Sequence, residues 1–333
     1  MPTRRTFLIA GAVAGAATIT GATTARPAAA DPEAGPLPPS PRFDCAAPGA
    51  RLVGAAPLHN ATVMQSLAFD NVNRHLFVVQ LMAGGLRLPG EPAPVSGATR
   101  SANGDLCLTR LDRHGRETGH MYLRGFGHGV QIGAEPTGRG TFLWTETDSV
   151  AEDGSGWGTR ICRYRFADGA VLDPGSPELA KQAPIPGADR TTCGTDPVHR
   201  RLVMRHRIGG AFRYTLYRLD DVRRHRYQPL AEVAQPALGH SFQGYASYGS
   251  YLYLLEGTSG AMPGNTHLTC VDWRTGDVVE RRPVTDGADV DFREPEGMAV
   301  HVAGPGAVRL CYGFASGVPG ARLANVYYKE TLA

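Results

Sequence analysis

The chain has 333 residues, a formal net charge of +3, and 42 glycines with 25 prolines. So small a charge excludes bulk electrostatic attraction to nucleic acid. So many turn residues, with no convincing helical periodicity, exclude a helical bundle and point to an all-β chain.

The first thirty residues read as an export signal. Thr3-Arg4-Arg5-Thr6-Phe7-Leu8 precedes an apolar Ala/Gly-rich run that ends in Ala28-Ala29-Ala30-Asp31, a small-residue cleavage site. The paired arginines resemble a twin-arginine signal, which implies a bacterial protein exported already folded, cleaved after Ala30 and acting outside the cell. The apolar run is too short and glycine-rich for a stable membrane anchor. Residues 31–44, with Pro32, Pro36, Pro38, Pro39 and Pro41, read as a mobile linker.

Residues 45–333 then read as one domain built on an internal repeat. Gln65-Ser66-Leu67-Ala68-Phe69, His128-Gly129-Val130-Gln131-Ile132, Thr191-Thr192-Cys193-Gly194-Thr195, Gln243-Gly244-Tyr245-Ala246-Ser247 and Glu296-Gly297-Met298-Ala299-Val300 recur at steps of 63, 63, 52 and 53 residues. A short apolar run follows each, beginning at Leu76, Thr141, Leu202, Tyr251 and Val308. An alternating segment comes next, beginning at Leu106, Arg160, Tyr214, His267 and Leu323. Alternation rich in aromatic and β-branched residues marks half-buried strands, and Asp168-Gly169 and Thr275-Gly276 mark tight turns. Strand-rich units of this period predict a five-bladed β-propeller, with a β-sandwich as the alternative. The fifth unit lacks a fourth strand, and Arg51–Leu58 is placed to supply it. Pairing the two ends of the chain would remove the exposed sheet edges.

Cys107, Cys162 and Cys270 occupy matching positions in three units, which suits small core residues. A bridge between Cys45 and Cys311 at the ring closure is an open alternative. No C-x-x-C or His-x-x-x-His spacing marks a structural zinc.

In a propeller the innermost strands line a central channel, so Gln65, His128, Thr191, Gln243 and Glu296 are expected at one funnel mouth. Arg190, Arg293 and Glu294 neighbour them, and the second strands end near Gln80, Glu146, Arg205 with His206, and Glu256. Such a ring suits a hydroxyl-rich or anionic ligand. His128, Glu296 and Arg205 are the catalytic candidates. Gln65, Gln243, Arg190, Arg293, Glu146 and Tyr245 are the substrate-binding candidates. The arginine-rich stretch 199–226 could further present one basic face to a polyanion, or be an ordinary solvated surface.

Gly127-His128-Gly129-Val130-Gln131-Ile132, Gln243-Gly244-Tyr245-Ala246-Ser247-Tyr248 and Arg293-Glu294-Pro295-Glu296-Gly297-Met298-Ala299 resemble motifs of the TagC-like β-propellers. That family is shared by secreted bacterial proteins labelled teichoic acid biosynthesis protein C and by receptor-binding propellers of phages of Gram-positive hosts. The resemblance spans residues 50–330; Thr191-Thr192 departs from it where Gln-Gly or His-Gly is expected. It implies recognition of cell-wall or extracellular glycan and supplies no catalytic assignment.

Two chemistries fit the funnel. A hydrolase needs two carboxyl groups, met by Glu296 with Glu146, Glu256 or Asp196. A lyase acting on a uronate needs a base such as His128 or a tyrosine, and an arginine such as Arg205 or Arg293 to neutralise the carboxylate. The expectation is a secreted monomer that binds and cleaves an extracellular polysaccharide or wall teichoic acid, with a non-catalytic lectin-like propeller as the alternative. No nucleic acid partner and no certain cofactor is expected. Asp286, Asp289 and Asp291 leave a channel-bound Ca2+ open, although their spacing departs from the EF-hand pattern.

Overall fold

The computed structural model describes residues 37–333 apart from 261 and 263. The export signal and residues 31–36 of the expected linker lie outside the described residues. A closing strand, β1 (Ala50–Pro57), precedes the first blade, β2 (Met64–Asp70), β3 (His75–Leu81), β4 (Leu106–Leu111) and β5 (Glu117–Leu123). Helix α1 (Gly97–Asn103) interrupts that blade between β3 and β4. No periodicity announces it, because one Ser96 N-cap and a left-handed Gly104 C-cap define its two turns. The second blade contains β6 (Gly133–Thr137) and β7 (Gly140–Thr147). A small hairpin follows, β8 (Val150–Glu152) with β9 (Ser155–Trp157), and then β10 (Arg160–Arg165). After β11 (Val171–Leu172), which pairs in parallel with β5, strand β12 (Ala180–Gln182) completes the second sheet.

The third blade is β13 (Asp189–Asp196), β14 (Arg201–Ile208), β15 (Ala211–Arg218), the single turn α2 (Leu219–Val222) and β16 (Pro229–Ala234). The fourth is β17 (Phe242–Tyr248), β18 (Tyr251–Glu256), β19 (His267–Asp272) and β20 (Val278–Pro283). The fifth is β21 (Glu294–Gly304), β22 (Ala307–Val318) and β23 (Ala321–Lys329). Strand β1 adds to β23 antiparallel, from Ala50 opposite Tyr328 to Pro57 opposite Leu323. The ring is therefore a five-bladed β-propeller closed by the two ends of the chain, as the missing fourth strand implied.

Each blade interface owns one apolar cluster. Phe77, Val79 and Leu108 meet Leu143 and Tyr164 between blades one and two, whereas Leu76 and Val78 on the opposite face of β3 meet Cys311 and Val326 of blade five. Both faces of a middle strand are thus buried, which is why these strands read as apolar runs rather than strict alternations. Among the described residues no helix is long and apolar enough to cross a membrane.

Two expectations change. All six cysteines are free and buried. Cys45 packs between blades four and five and Cys311 between blades five and one, so the bridge held open as an alternative has a blade between its partners. Residues 37–44 are docked rather than loose: Leu37 and Phe43 are buried, Ser250 donates to the Pro38 carbonyl, and Arg42 pairs with Glu280.

Candidate functional site

The start of an inner strand is where the ladder breaks. In blades one, three, four and five the pairing with the second strand skips at Gln65, Arg190–Thr191, Gln243 and Gly297. A β-bulge frees its extra residue from the pleat and re-aims the side chain. Here Gln65, Arg190 and Gln243 are released toward the axis. Close approach of the inner strands explains the repeated glycine. A Cβ on Gly297, at φ +71°, would lie 2.4 Å from the Ser66 Cα, and one on Gly244 would lie 2.8 Å from the Gly297 Cα.

The result is a cup of about 520 Å³ at the channel mouth, lined from all five blades by Gln65, His128, Arg190, Arg205, Gln243 and Glu296, with Glu294 beside them. Deeper in the channel the free space falls to about 10 Å³, at or below what one water needs. Gln131 fills this level and donates to the Met298 carbonyl at 2.9 Å, so the cup has a floor. A larger, shallower groove of about 970 Å³ lies between α1 and the β8–β9 hairpin. Its arginines are already matched, Arg124 with Asp173 and Arg160 with Asp148, so the cup is the better candidate.

One wall of the cup is a stack. The His128 ring lies on Trp157 at 4.6 Å between centroids, and the Arg190 guanidinium lies 4.3 Å over the same indole. Arg190 is tied to Glu152 on β8. The His128 Nδ1 and Trp157 Nε1 atoms are buried without a hydrogen-bond partner among the described residues. Burial, with the Arg190 charge adding to it, pushes the imidazole down to about 4, leaving it neutral at pH 7.

The facing wall holds Arg205, buried between two rings, 3.6 Å over Phe212 and 4.0 Å over Phe242. Its Nε donates to the Gln235 side-chain oxygen at 3.0 Å, an acceptor shared with the Tyr214 hydroxyl. Among the described residues no carboxylate pairs with it. Glu296 closes the cup from β21. Burial, and then the negative charge of Glu294, holds its carboxyl well above the usual range, and Glu294 is itself raised by burial. A carboxyl raised by burial, a neutral imidazole and a guanidinium without a carboxylate partner therefore face one space.

Three candidates fall outside this cup. Glu146 is fully buried behind it and accepts from the Gly129 and Gly158 amides at 2.7 and 2.8 Å, holding the loops that carry His128 and Trp157. Arg293 turns away and donates to the Val284 and Asp286 carbonyls and to Thr266, because its φ of +43° directs it under the loop before β21. Tyr245 packs between blades three and four, its hydroxyl 3.1 Å from the Thr192 hydroxyl. Thr191 likewise faces inward, donating to the Arg160 carbonyl.

The other proposed acids are occupied. Glu256 pairs with Arg281 and accepts from His240, and Asp196 accepts from the Val198, His199 and Gly249 amides. The three aspartates of the suggested calcium loop separate, Asp286 to Lys329 and Tyr312, Asp289 to Arg51, and Asp291 to the Gly317 amide. The basic stretch does not form one face either. Arg200, Arg207, Arg213 and Arg226 each hold a carboxylate, and Arg205 alone of this run lines the cup. Trp157, Phe212 and Phe242 were not anticipated. The available signal was the Asp153-Gly154 turn preceding Trp157 and the position of Phe242 beside Gln243.

Residues 63–328 match the family described as the phage 5-bladed beta propeller receptor binding platform domain. The chain belongs to that family. The chain is 27% identical over 277 residues to a Bacillus subtilis (strain 168) protein named "Putative major teichoic acid biosynthesis protein C", covering 80% of this chain and 59% of the relative. It also resembles the tail fiber of Staphylococcus aureus phage P68, with a TM-score of 0.63 and 20% identity over 87% of this chain and 52% of that one, a likeness of fold. The chain thus spans little more than half the length of either.

Proposed function

We propose that the cup binds one anionic, hydroxyl-bearing unit of an extracellular cell-surface polymer, with Arg205 receiving the anion. The observation that carries this reading is Arg205 itself: a buried guanidinium, fixed between Phe212 and Phe242, whose one side-chain acceptor is the neutral Gln235. A desolvated cation of that kind gains most from a ligand anion, and the planar fork suits a phosphate or carboxylate. Gln65, Gln243 and the His128 ring offer hydrogen bonds to hydroxyls around it, and Trp157 is part of the stacked wall beside them. The twin-arginine signal and the relative named for teichoic acid biosynthesis support an extracellular polymer as the source of the ligand. On this reading the protein is exported and works as a monomer.

The test uses the chain from Asp31 onward against a polyol-phosphate polymer, a polyuronate and a neutral glucan, read by calorimetry. Binding of an anionic polymer that weakens with added salt is expected, and the two anionic arms distinguish phosphate from carboxylate. Equal binding to the neutral glucan, or binding to none of the three, overturns it.

A second reading, cleavage, is favoured by the Glu296 carboxyl in the same cup, which burial raises and which, where protonated, can donate to a leaving oxygen. His128, neutral and with an unpartnered ring nitrogen, would be the base if the step were an elimination. Mass spectrometry of the incubated polymers separates the chemistries, since hydrolysis adds water to the products and elimination does not. Glu296→Gln should abolish any release while moving stability by less than about 1 kcal/mol, because its carboxyl has no protein hydrogen bond to lose. Intact polymers throughout reduce the protein to a binding module.

A further inference from the structure

Away from the cup, three residues that the proposed function leaves unused converge at the seam where the ring closes. His59 lies two residues beyond β1, and Glu117 and His120 lie on β5, the outer strand of blade one. The His59 Nδ1 is 2.9 Å and the His120 Nδ1 3.3 Å from the same Glu117 Oε1. The two imidazoles stack with centroids 3.3 Å apart and planes 11° from parallel, so one ring must turn about its Cβ–Cγ bond before both in-plane Nδ1 lone pairs can point at one ion. We propose that His59, Glu117 and His120 form a site for a divalent transition-metal ion, zinc or its neighbours, that fastens the exit of the closing strand to the first blade.

The spacing supports the ion. Ligand atoms about 2.1 Å from a shared metal stand about 3.0 to 3.4 Å from one another, across octahedral to tetrahedral angles. Two nitrogens and one carboxylate oxygen suit zinc, nickel or cobalt, and are too nitrogen-rich for calcium or magnesium. The surroundings are those of a held ligand set. The His59 Nε2 is 3.1 Å from the Tyr122 hydroxyl, an outer partner that would fix the ring tautomer once Nδ1 is committed to a metal. Both backbones are pinned, His59 by its amide to Thr109 and His120 by its amide to Asp168. All three side chains are about one-third exposed, so an ion can reach them from solvent, and coordination positions remain for water.

Position gives the site its consequence. β1 pairs with β23 of blade five, whereas β5 belongs to blade one. An ion held by His59 on one side and Glu117 and His120 on the other bridges the seam between the last and first blades. A ligand that binds the closed ring and not the open chain raises the thermal midpoint. No local spacing advertises the set, because 58 residues separate His59 from Glu117.

The experiment titrates tag-free, chelator-treated protein with zinc(II), cobalt(II) and calcium(II), by calorimetry and by thermal unfolding. One equivalent of zinc should bind, raise the unfolding midpoint by several degrees, and be replaceable by cobalt with visible ligand-field absorption. His120→Ala and Glu117→Gln should each remove the zinc-dependent shift while leaving the metal-free midpoint close to that of the parent. If His120→Ala fails to fold, Glu117→Gln, which keeps an acceptor oxygen of the same size, decides the matter. No stoichiometric zinc binding, zinc binding unchanged in both variants, or an equal shift with calcium would overturn the proposal.

Discussion

Blades two and three each carry a buried charged residue in the second half of the second strand, Glu146 on β7 and Arg205 on β14, and put it to opposite use. Glu146 faces backbone: two amides from two loops converge on its oxygens, and the loops are those that present His128 and Trp157. Gln80 and Glu256 do the same in blades one and four, toward the Asn60–Thr62 segment and His240. Arg205 instead faces the cup, between aromatic rings and without a carboxylate. Corresponding strands thus carry a bolt in blades one, two and four, and a binding group in blade three, where Arg205 stands one residue before the Gln80 and Glu256 position, which His206 holds. The difference teaches that symmetry of fold does not extend to symmetry of site: asymmetry enters where one blade's second strand turns a guanidinium into the cup.

The largest effect expected from breaking that comparison is on stability. Glu146→Ala strands two buried amides and opens a cavity behind the His128 loop. The cost should be about 3 kcal/mol, seen as a lower urea midpoint with an unchanged slope. Arg205→Met, which retains the apolar stem between the two phenylalanines, should leave stability within about 1 kcal/mol of the parent. Its effect falls on affinity: loss of one charge-assisted contact should weaken binding of the anionic polymer roughly 10- to 100-fold, measured by calorimetry. A stability loss in Arg205→Met without an affinity loss would make Arg205 another bolt.

The repeat made most of this architecture legible. Each repeat has a polar residue just before Ser66, Gly129, Gly244 or Gly297, so Gln65, His128, Gln243 and Glu296 could be placed at one mouth from the sequence. The unfilled fourth strand of the last blade likewise pointed to the segment before the first. Tyr245 was misplaced because alternation reports which face a residue shares, while the bulge at Gln243 changes that face just ahead of it. Arg293 and Glu146 were misplaced because their partners are backbone groups of other loops, Asp286 in one case and Gly158 in the other, and backbone atoms leave no mark in a sequence. Trp157 reaches the cup on a three-residue strand, too short for any periodicity to register.

The smallest expected effect sharpens the comparison through pH. Glu146 is pushed up from 4.5 to about 7 by burial, against the pull of its amide hydrogen bonds, so the folded protein holds a proton there that the unfolded chain has lost. Its contribution to stability is full below pH 4.5 and is lost as pH rises toward 7, by about 3 kcal/mol if that group acted alone. His128 runs the other way. Its folded value near 4, below the ordinary 6.5, means that the unfolded chain binds the proton first, so its contribution is present above 6.5 and lost as pH falls toward 4. The slopes oppose each other between pH 4.5 and 6.5, with Glu294 and Glu296 on the side of Glu146 and His301 on the side of His128, so the parent profile should be shallower than either group alone would give. Glu146→Gln removes one slope, so its urea midpoint should climb relative to the parent's as pH rises from 4.5 to 6.5. A variant profile as shallow as the parent's would mean that Glu146 is ionised throughout, held by its amides as a charged bolt rather than a neutral one.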